Sequence, residues 1–291
     1  MKGEERLWGI LQDNLETLRT GGRLVEALRV GRSALELAQR IFPNNGPSLA
    51  LSYERVGQLH EQQGDRAAAK ADFAQALRIV ESGEPVDERW IYRLARRLAL
   101  LSDMAGGEEE AIAYYEKAIQ AGGKLESVTC TELGTMLNNL ALIYRRSGRQ
   151  KAAEPYYLHA LELYEKQLGM DHPDVAAILN NLGVFYTNER RFEEAEQMHL
   201  RALAIRRQIK PGGLSDVAQS HCNLAVLYHA QGNLTRAAEL YRESLRGWEG
   251  MERPPADYEV AASNYADLLR SLGKRRKAWT IESRARRRRG R

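Results

Sequence analysis

The chain has 291 residues, with 43 Lys+Arg against 39 Asp+Glu for a net charge of +4, and its 43% hydrophobic content suffices for a core, which excludes a disordered tail. Two cysteines exclude a disulfide scaffold and a four-cysteine zinc site. The start, Met1 to Arg6, has no apolar signal segment, and no run reaches the roughly 18 apolar residues of a membrane span, so the expected location is cytoplasmic.

Taken in chain order, the sequence repeats with a period of 42. One turn column reads Gly22, Gly64, Gly106, Gly148, Arg190, Gly232 and, after one deleted residue, Gly273. A small-residue column reads Ala27, Ala69, Ala111, Ala153, Ala195, Ala237 and Ala278; another reads Ala34, Ala76, Ala118, Ala160, Ala202, Ser244 and Ala285. The units start near 8, 50, 92, 134, 176, 218 and 259. Within a unit, apolar residues recur at helical spacing, as at Leu179, Leu182, Gly183 and Tyr186, and the turn glycine ends the first of two helices. Pro43 and Pro47, Pro85, His172-Pro173, Pro211-Gly212-Gly213 and Pro254-Pro255 separate the units. In Asp171-His172-Pro173-Asp174 the spacing predicts a helix start with an acid as N-cap and proline in the first turn. No segment alternates with the period of a strand, so the fold class is all-α.

The motif Leu-Gly/Ala-x-x-Tyr, then Ala, then an aromatic (Phe73, Tyr115, Tyr157, Tyr241), then Ala resembles the tetratricopeptide repeat. The 42-residue length, with Leu-Asn-Asn-Leu at 137–140 and 179–182 and Gly-Met-Asp-His-Pro-Asp-Val-Ala at 169–176, is similar to the kinesin-light-chain subtype. The match is strongest over 130–245 and good over 50–126. It departs in the first unit, at Asn14-Leu15, and in the last, at Tyr265-Ala266 and Glu282. The resemblance implies a right-handed superhelical α-solenoid of about seven helix-turn-helix units over 1–285, followed by a basic tail at 286–291.

Chemistry-bearing motifs are missing. Gly122-Gly123-Lys124 is followed by Leu125 rather than completing a phosphate loop, and His60-Glu61-Gln62-Gln63 meets Gly64 where a zinc protease needs its second histidine. His221 and His229 lie two helical turns apart, too far to share a metal with Cys222. Cys130 and Cys222 are expected as free thiols, and the four tryptophans, at different repeat positions, as packing residues. We therefore expect no catalytic residue, no cofactor and no metal.

Candidate site residues come from a polar column ahead of the apolar anchor: Asp13, Arg55, Arg97, Asn139, Asn181, Asn223 and Asn264. Stacked units place such a column as a ladder along the groove. Asparagine at this position contacts the main chain of bound peptides in the resembling families, which implies that role for Asn139, Asn181, Asn223 and Asn264, with Asn138 and Asn180 beside them. Arg93 and Arg97 share a helix, Arg55 precedes them in the ladder and Arg146 ends the next first helix, which points to an acidic peptide or a C-terminal carboxylate. The competing reading has the asparagines tying hairpins together and the arginines solvated. From Gly273 to Arg291 ten Lys/Arg face one acid, whereas the rest of the chain is net −5. Residues 284–291 thus offer nucleic acid a second site by counterion release, though no aromatics interleave to stack bases. The leading expectation is a monomeric, non-enzymatic scaffold for a protein or peptide partner; the alternative is a peptide-sensing regulatory module acting in trans.

Overall fold

The computed structural model describes residues 2–42, 46–208, 214–251 and 254–289; Pro43, Pro211-Gly212-Gly213 and residues 290–291 lie outside them. Among the described residues there are fourteen helices and no strand. Two compact units divide the chain. Unit 1, Met1–Ser147, holds α1 (Lys2–Thr20), α2 (Leu24–Ile41), α3 (Pro47–Gln62), α4 (Arg66–Glu81), α5 (Glu88–Met104), α6 (Glu108–Gly122) and α7 (Cys130–Arg146). Unit 2, Gly148–Arg291, holds α8 (Gln150–Leu168), α9 (Pro173–Asn188), α10 (Phe192–Gln208), α11 (Leu214–Ala230), α12 (Leu234–Glu249), α13 (Asp257–Ser271) and α14 (Arg275–Arg289). In each unit, sequence-adjacent helices pack as a stack of antiparallel hairpins.

The turn column sets the hairpins. Gly22, Gly64, Gly106, Gly148, Gly232 and Gly273 all have φ between 73° and 83°, and Arg190, the one non-glycine in the column, is forced to φ 58°. The alanine column from Ala27 to Ala278 is fully buried throughout, because a longer side chain there would push the two helices apart.

The α3–α4 and α9–α10 hairpins also close on a large residue from the second helix seated over a glycine on the first. A Cβ on Gly57 would stand 3.0 Å from the Phe73 ring, and one on Gly183 would stand 2.5 Å from His199. The first unit reaches the same fit with the sizes exchanged: Leu15 is fully buried, and a Cβ on Gly31 would lie 2.9 Å from it. The departure at Leu15 is therefore a swap, not a loss of packing. His199 stands where four other units have Phe73, Tyr115, Tyr157 and Tyr241. Burial and the nearby Arg206 cation hold its imidazole neutral, pushed down to about 4.

Hairpins of one unit are also tied by ion pairs between consecutive second helices. Glu81 near the end of α4 meets Lys117 on α6, Glu165 meets Arg201 at 2.6 Å, and Glu249 meets Arg284 at 3.1 Å. Glu154 on α8 accepts from Tyr186 Oη at 3.0 Å and pairs with Arg191 at 2.7 Å.

Two local expectations are corrected. The N-cap of α9 is His172, whose Nδ1 accepts from the Asp174 N–H at 3.2 Å, and not Asp171. Pro173 at the first helical position drives its predecessor into the extended region, and that predecessor becomes the cap. Among the tryptophans, Trp8, Trp90 and Trp248 pack and donate to Ser52, Glu54 and Ser215, but Trp279 is 67% exposed, since no described helix follows α14 to cover it. Helix α14 extends through Arg289, so 286–289 form its last turn.

Two stability measurements follow from these contacts. A left-handed conformation costs a non-glycine residue roughly 1–2 kcal/mol, against about 0.5–1 kcal/mol of extra chain entropy for glycine. Arg190→Gly is therefore expected to raise unfolding free energy by about 0.5–1 kcal/mol in urea titration, and an unchanged midpoint would contradict it. His199 is neutral when folded and protonates at its ordinary 6.5 when unfolded, so the unfolded chain binds more protons below that pH. Stability is accordingly full above pH 6.5 and falls toward pH 4 by up to about 1.4 kcal/mol per pH unit. His199→Phe, which copies the Gly57–Phe73 fit, is expected to flatten this component of the Tm–pH curve.

Candidate functional site

In unit 1 the candidate residues stand on α3, α5 and α7, and every arginine among them is engaged. Arg55 donates through Nη1 to the Gln12 backbone carbonyl at 2.9 Å and to Gln12 Oε1 at 3.0 Å. Arg93 holds Glu54 in a two-point fork, Nε and Nη2 each at 2.8 Å from a carboxylate oxygen, and Trp90 Nε1 donates to the same carboxylate at 2.7 Å. Glu54 is only 2% exposed, and three donors on a buried carboxylate make this a fastener between α3 and α5. Arg97 pairs with Glu61 and lies 5.3 Å over the Phe73 ring. Arg146 spans Asp103 at 2.6 Å and Glu108 at 3.1 Å, and both acids raise its guanidinium above the ordinary value. Glu54, Arg55 and Arg93, with Gln58, Glu16 and Arg19, line a shallow depression of about 440 Å³ in which three arginines face two glutamates. Asn139 on α7 donates to Tyr115 Oη at 3.3 Å, and Asn138 beside it is half-buried.

Unit 2 presents a different surface. Asn223 on α11 donates to the Asn180 carboxamide on α9 and accepts from Gln219 Nε2 at 3.2 Å. Asn181 is half-buried on α9, and Asn264 is half-buried on α13. Ala177, Val184 and Val226 stand among these amides on α9 and α11. The structure thus gathers Asn180 and Asn223 into one bonded neutral patch, whereas the arginine set belongs to a separate ion-paired patch of unit 1.

Asn223 and Asn139 do tie neighbouring helices, as the competing reading expected. One bond, however, uses a fraction of a carboxamide's two donors and one acceptor oxygen. Sequence reasoning missed Glu54, the carboxylate that pairs with Arg93, and Gln12, the amide that accepts from Arg55. Their signal was the column one position earlier: Gln12 and Glu54 fill in unit 1 the place of Asn138 and Asn180.

Other candidate chemistries find different uses. His60 Nδ1 is 2.7 Å from Asp72 Oδ2, and Gly64 is a positive-φ turn. Cys130 and Cys222 are free thiols, and burial pushes Cys222 up to about 12. Among the described residues no three His, Cys, Asp or Glu side chains gather as a metal site, and no helix is long and apolar enough to cross a membrane.

Stacked antiparallel hairpins with a positive-φ turn and a small-residue seam define a helical-repeat protein. The tetratricopeptide repeat family model matches residues 16–82, 90–166, 132–208 and 174–250, and the chain belongs to that family. BtubC (BKLC) from P. vanneervenii is 28% identical over 81% of this chain and 92% of its own, with a TM-score of 0.61. The apo form of RapI is 16% identical over 97% and 98%, with a TM-score of 0.59. YrrB, described as a tetratricopeptide repeat protein with an unusual peptide-binding site, is 20% identical over 72% and 91%, with a TM-score of 0.50. No curated protein matches the chain.

The two ion pairs of α5 should separate on mutation. Arg93→Ala strands a buried carboxylate and is expected to cost about 1–3 kcal/mol. Arg97→Ala exposes a Glu61 already 37% accessible and should cost less than about 1 kcal/mol. Equal losses in denaturant titration would contradict the assignment of Glu54 as the fastener.

Proposed function

We propose that this protein is a non-enzymatic scaffold, monomeric and cytoplasmic, that binds a segment of a partner protein along its first helices. The neutral amides of unit 2, Asn180, Asn181, Gln219 and Asn223, with Asn264 on the next first helix, form the recognition surface. The observation that carries the reading is the contrast between the two units. In unit 1 the candidate arginines of α3, α5 and α7 are all held by internal partners and carboxamides stand at Asn138 and Asn139 of α7, while unit 2 offers half-buried carboxamides on α9, α11 and α13, interspersed with small apolar residues. Carboxamides both donate and accept, so such a surface suits a peptide main chain of varied sequence. The peptide-binding site named for YrrB is in keeping with this use of the repeat.

In its finer form the reading includes an acidic preference at the arginines of unit 1. A ligand carboxylate would exchange with Glu61 at Arg97, the pair whose side chains are 34% and 37% exposed, rather than with the buried Glu54 at Arg93. Such exchange between exposed groups weakens steeply with salt.

The test is a peptide array probed with the wild-type chain and with Asn181→Ala plus Asn223→Ala. Losing hydrogen bonds worth about 0.5–1.5 kcal/mol each should weaken captured peptides roughly tenfold with unchanged helicity. Unchanged capture would sink the proposal.

A further inference from the structure

Three cations in no ion pair among the described residues, Arg242, Arg246 and Lys277, stand apart from the ones the repeat ladder singled out. They lie at the other end of the chain, around a hollow of about 290 Å³ formed by α12, α13 and α14. Its floor is apolar: Leu245, Leu269 and Tyr265, each at most 6% exposed, and the half-buried Ile281. Its rim is basic, with Arg242 and Arg246 from α12 and Lys277 and Arg284 from α14. The single acid of the lining, Glu249, already accepts from Tyr258 Oη at 3.2 Å and Arg284 at 3.1 Å. Among the described residues Arg242 donates only to the Ala238 carbonyl of its own helix, and neither Arg246 nor Lys277 is in an ion pair. A second depression adjoins the first, sharing Thr280 and Arg284 and adding Arg287 and Arg288, again without an acid.

We propose that this groove binds an acidic peptide segment that places one large apolar side chain in the α12–α13–α14 hollow and runs its carboxylates along α14. This site is separate from the amide surface of unit 2, and none of its residues belongs to that surface. Charge complementarity selects the occupant: unpaired guanidinium and ammonium groups ring a floor of leucine, isoleucine and a buried tyrosine face. From Lys277 to Arg288 the helix rises about 16 Å at roughly 1.5 Å per residue, the reach of about five extended residues. That is longer than a free carboxylic acid needs. Nucleic acid fits the floor poorly, because the lining offers no exposed aromatic face on which a base could stack.

The probe is a fluorescein-labelled peptide of sequence Leu-Asp-Glu-Asp-Glu, titrated with the full chain and read by anisotropy. Comparators are Gly-Asp-Glu-Asp-Glu and a labelled twelve-base single-stranded DNA. The proposal expects saturable binding of the leucine peptide, at least tenfold weaker binding of the glycine peptide, and at least a tenfold loss with Arg246→Glu plus Lys277→Glu at unchanged circular dichroism. A milder pair, Arg246→Gln plus Lys277→Gln, should lie between the wild type and the charge reversal. Equal binding of the leucine and glycine peptides would overturn the anchored mode. So would wild-type affinity in both variant pairs, no peptide binding, or DNA that binds more tightly than the leucine peptide and displaces it. Because all variants lie on α12 and α14, a failure here leaves the amide surface of α9 and α11 untouched, and the peptide array for that surface reads separately.

Discussion

Three hairpins of this chain, α1–α2, α3–α4 and α9–α10, depend on one steric rule: the crossing of the two helices admits one large side chain and one very small one. Phe73 over Gly57 and His199 over Gly183 obey it in one direction, Leu15 over Gly31 in the other. Because the total volume at the crossing is fixed, the chain tolerates exchange of the two partners but not growth of either. The alanine seam and the positive-φ turn serve the same end, since both let the second helix return close against the first. Once hairpins are held this way, the remaining surface of each first helix is free to carry polar groups in register from one repeat to the next.

What those polar groups do differs between the units. In unit 1 the ladder is consumed by the fold itself: Glu54, sealed from water, collects Trp90 and Arg93, and Gln12 collects Arg55. In unit 2 the same columns hold amides, with Asn223 donating to Asn180 and accepting from Gln219. A cluster of cations in no ion pair among the described residues, Arg242, Arg246 and Lys277, stands instead on α12 and α14. Neutral amide surface and cationic groove are therefore separate features with different ligand chemistry and different sensitivity to salt.

Much of the fold was legible in the sequence because its determinants are local and repeat in register. The turn column revealed the hairpins, including the anomaly at Arg190, and the alanine columns revealed the seam. Less of the site was legible. The pairing of Arg93 with Glu54 joins residues from successive repeats, and nothing in either helix alone shows that the carboxylate is buried. The groove at α12–α14 draws Arg242, Leu269 and Lys277 from unrelated columns, so no periodicity announces it. The cap of α9 was misread by one residue because Asp171 and His172 are both able to accept a hydrogen bond, and the backbone set by Pro173 decided between them. Trp279 was read as a packing residue because composition cannot show which hairpin has no described neighbour.

The ion pairs between second helices carry one more implication. Near-identical hairpins face a sorting problem, since a helix of one repeat fits almost any other repeat's surface. In unit 2 the polarity of the pairing alternates. Glu165 on α8 faces Arg201 on α10, but in the next step the base is Arg207 on α10 and the acid Glu243 on α12, bridged by His221 at 3.2 and 3.6 Å. The step after that reverts, with Glu249 facing Arg284. Were α12 to dock against α8, Glu243 would meet Glu165; were α14 to dock against α10, Arg284 would meet Arg207. Like charges in those places penalise skipped repeats, so the alternation works as an address that keeps neighbours in order while the chain folds.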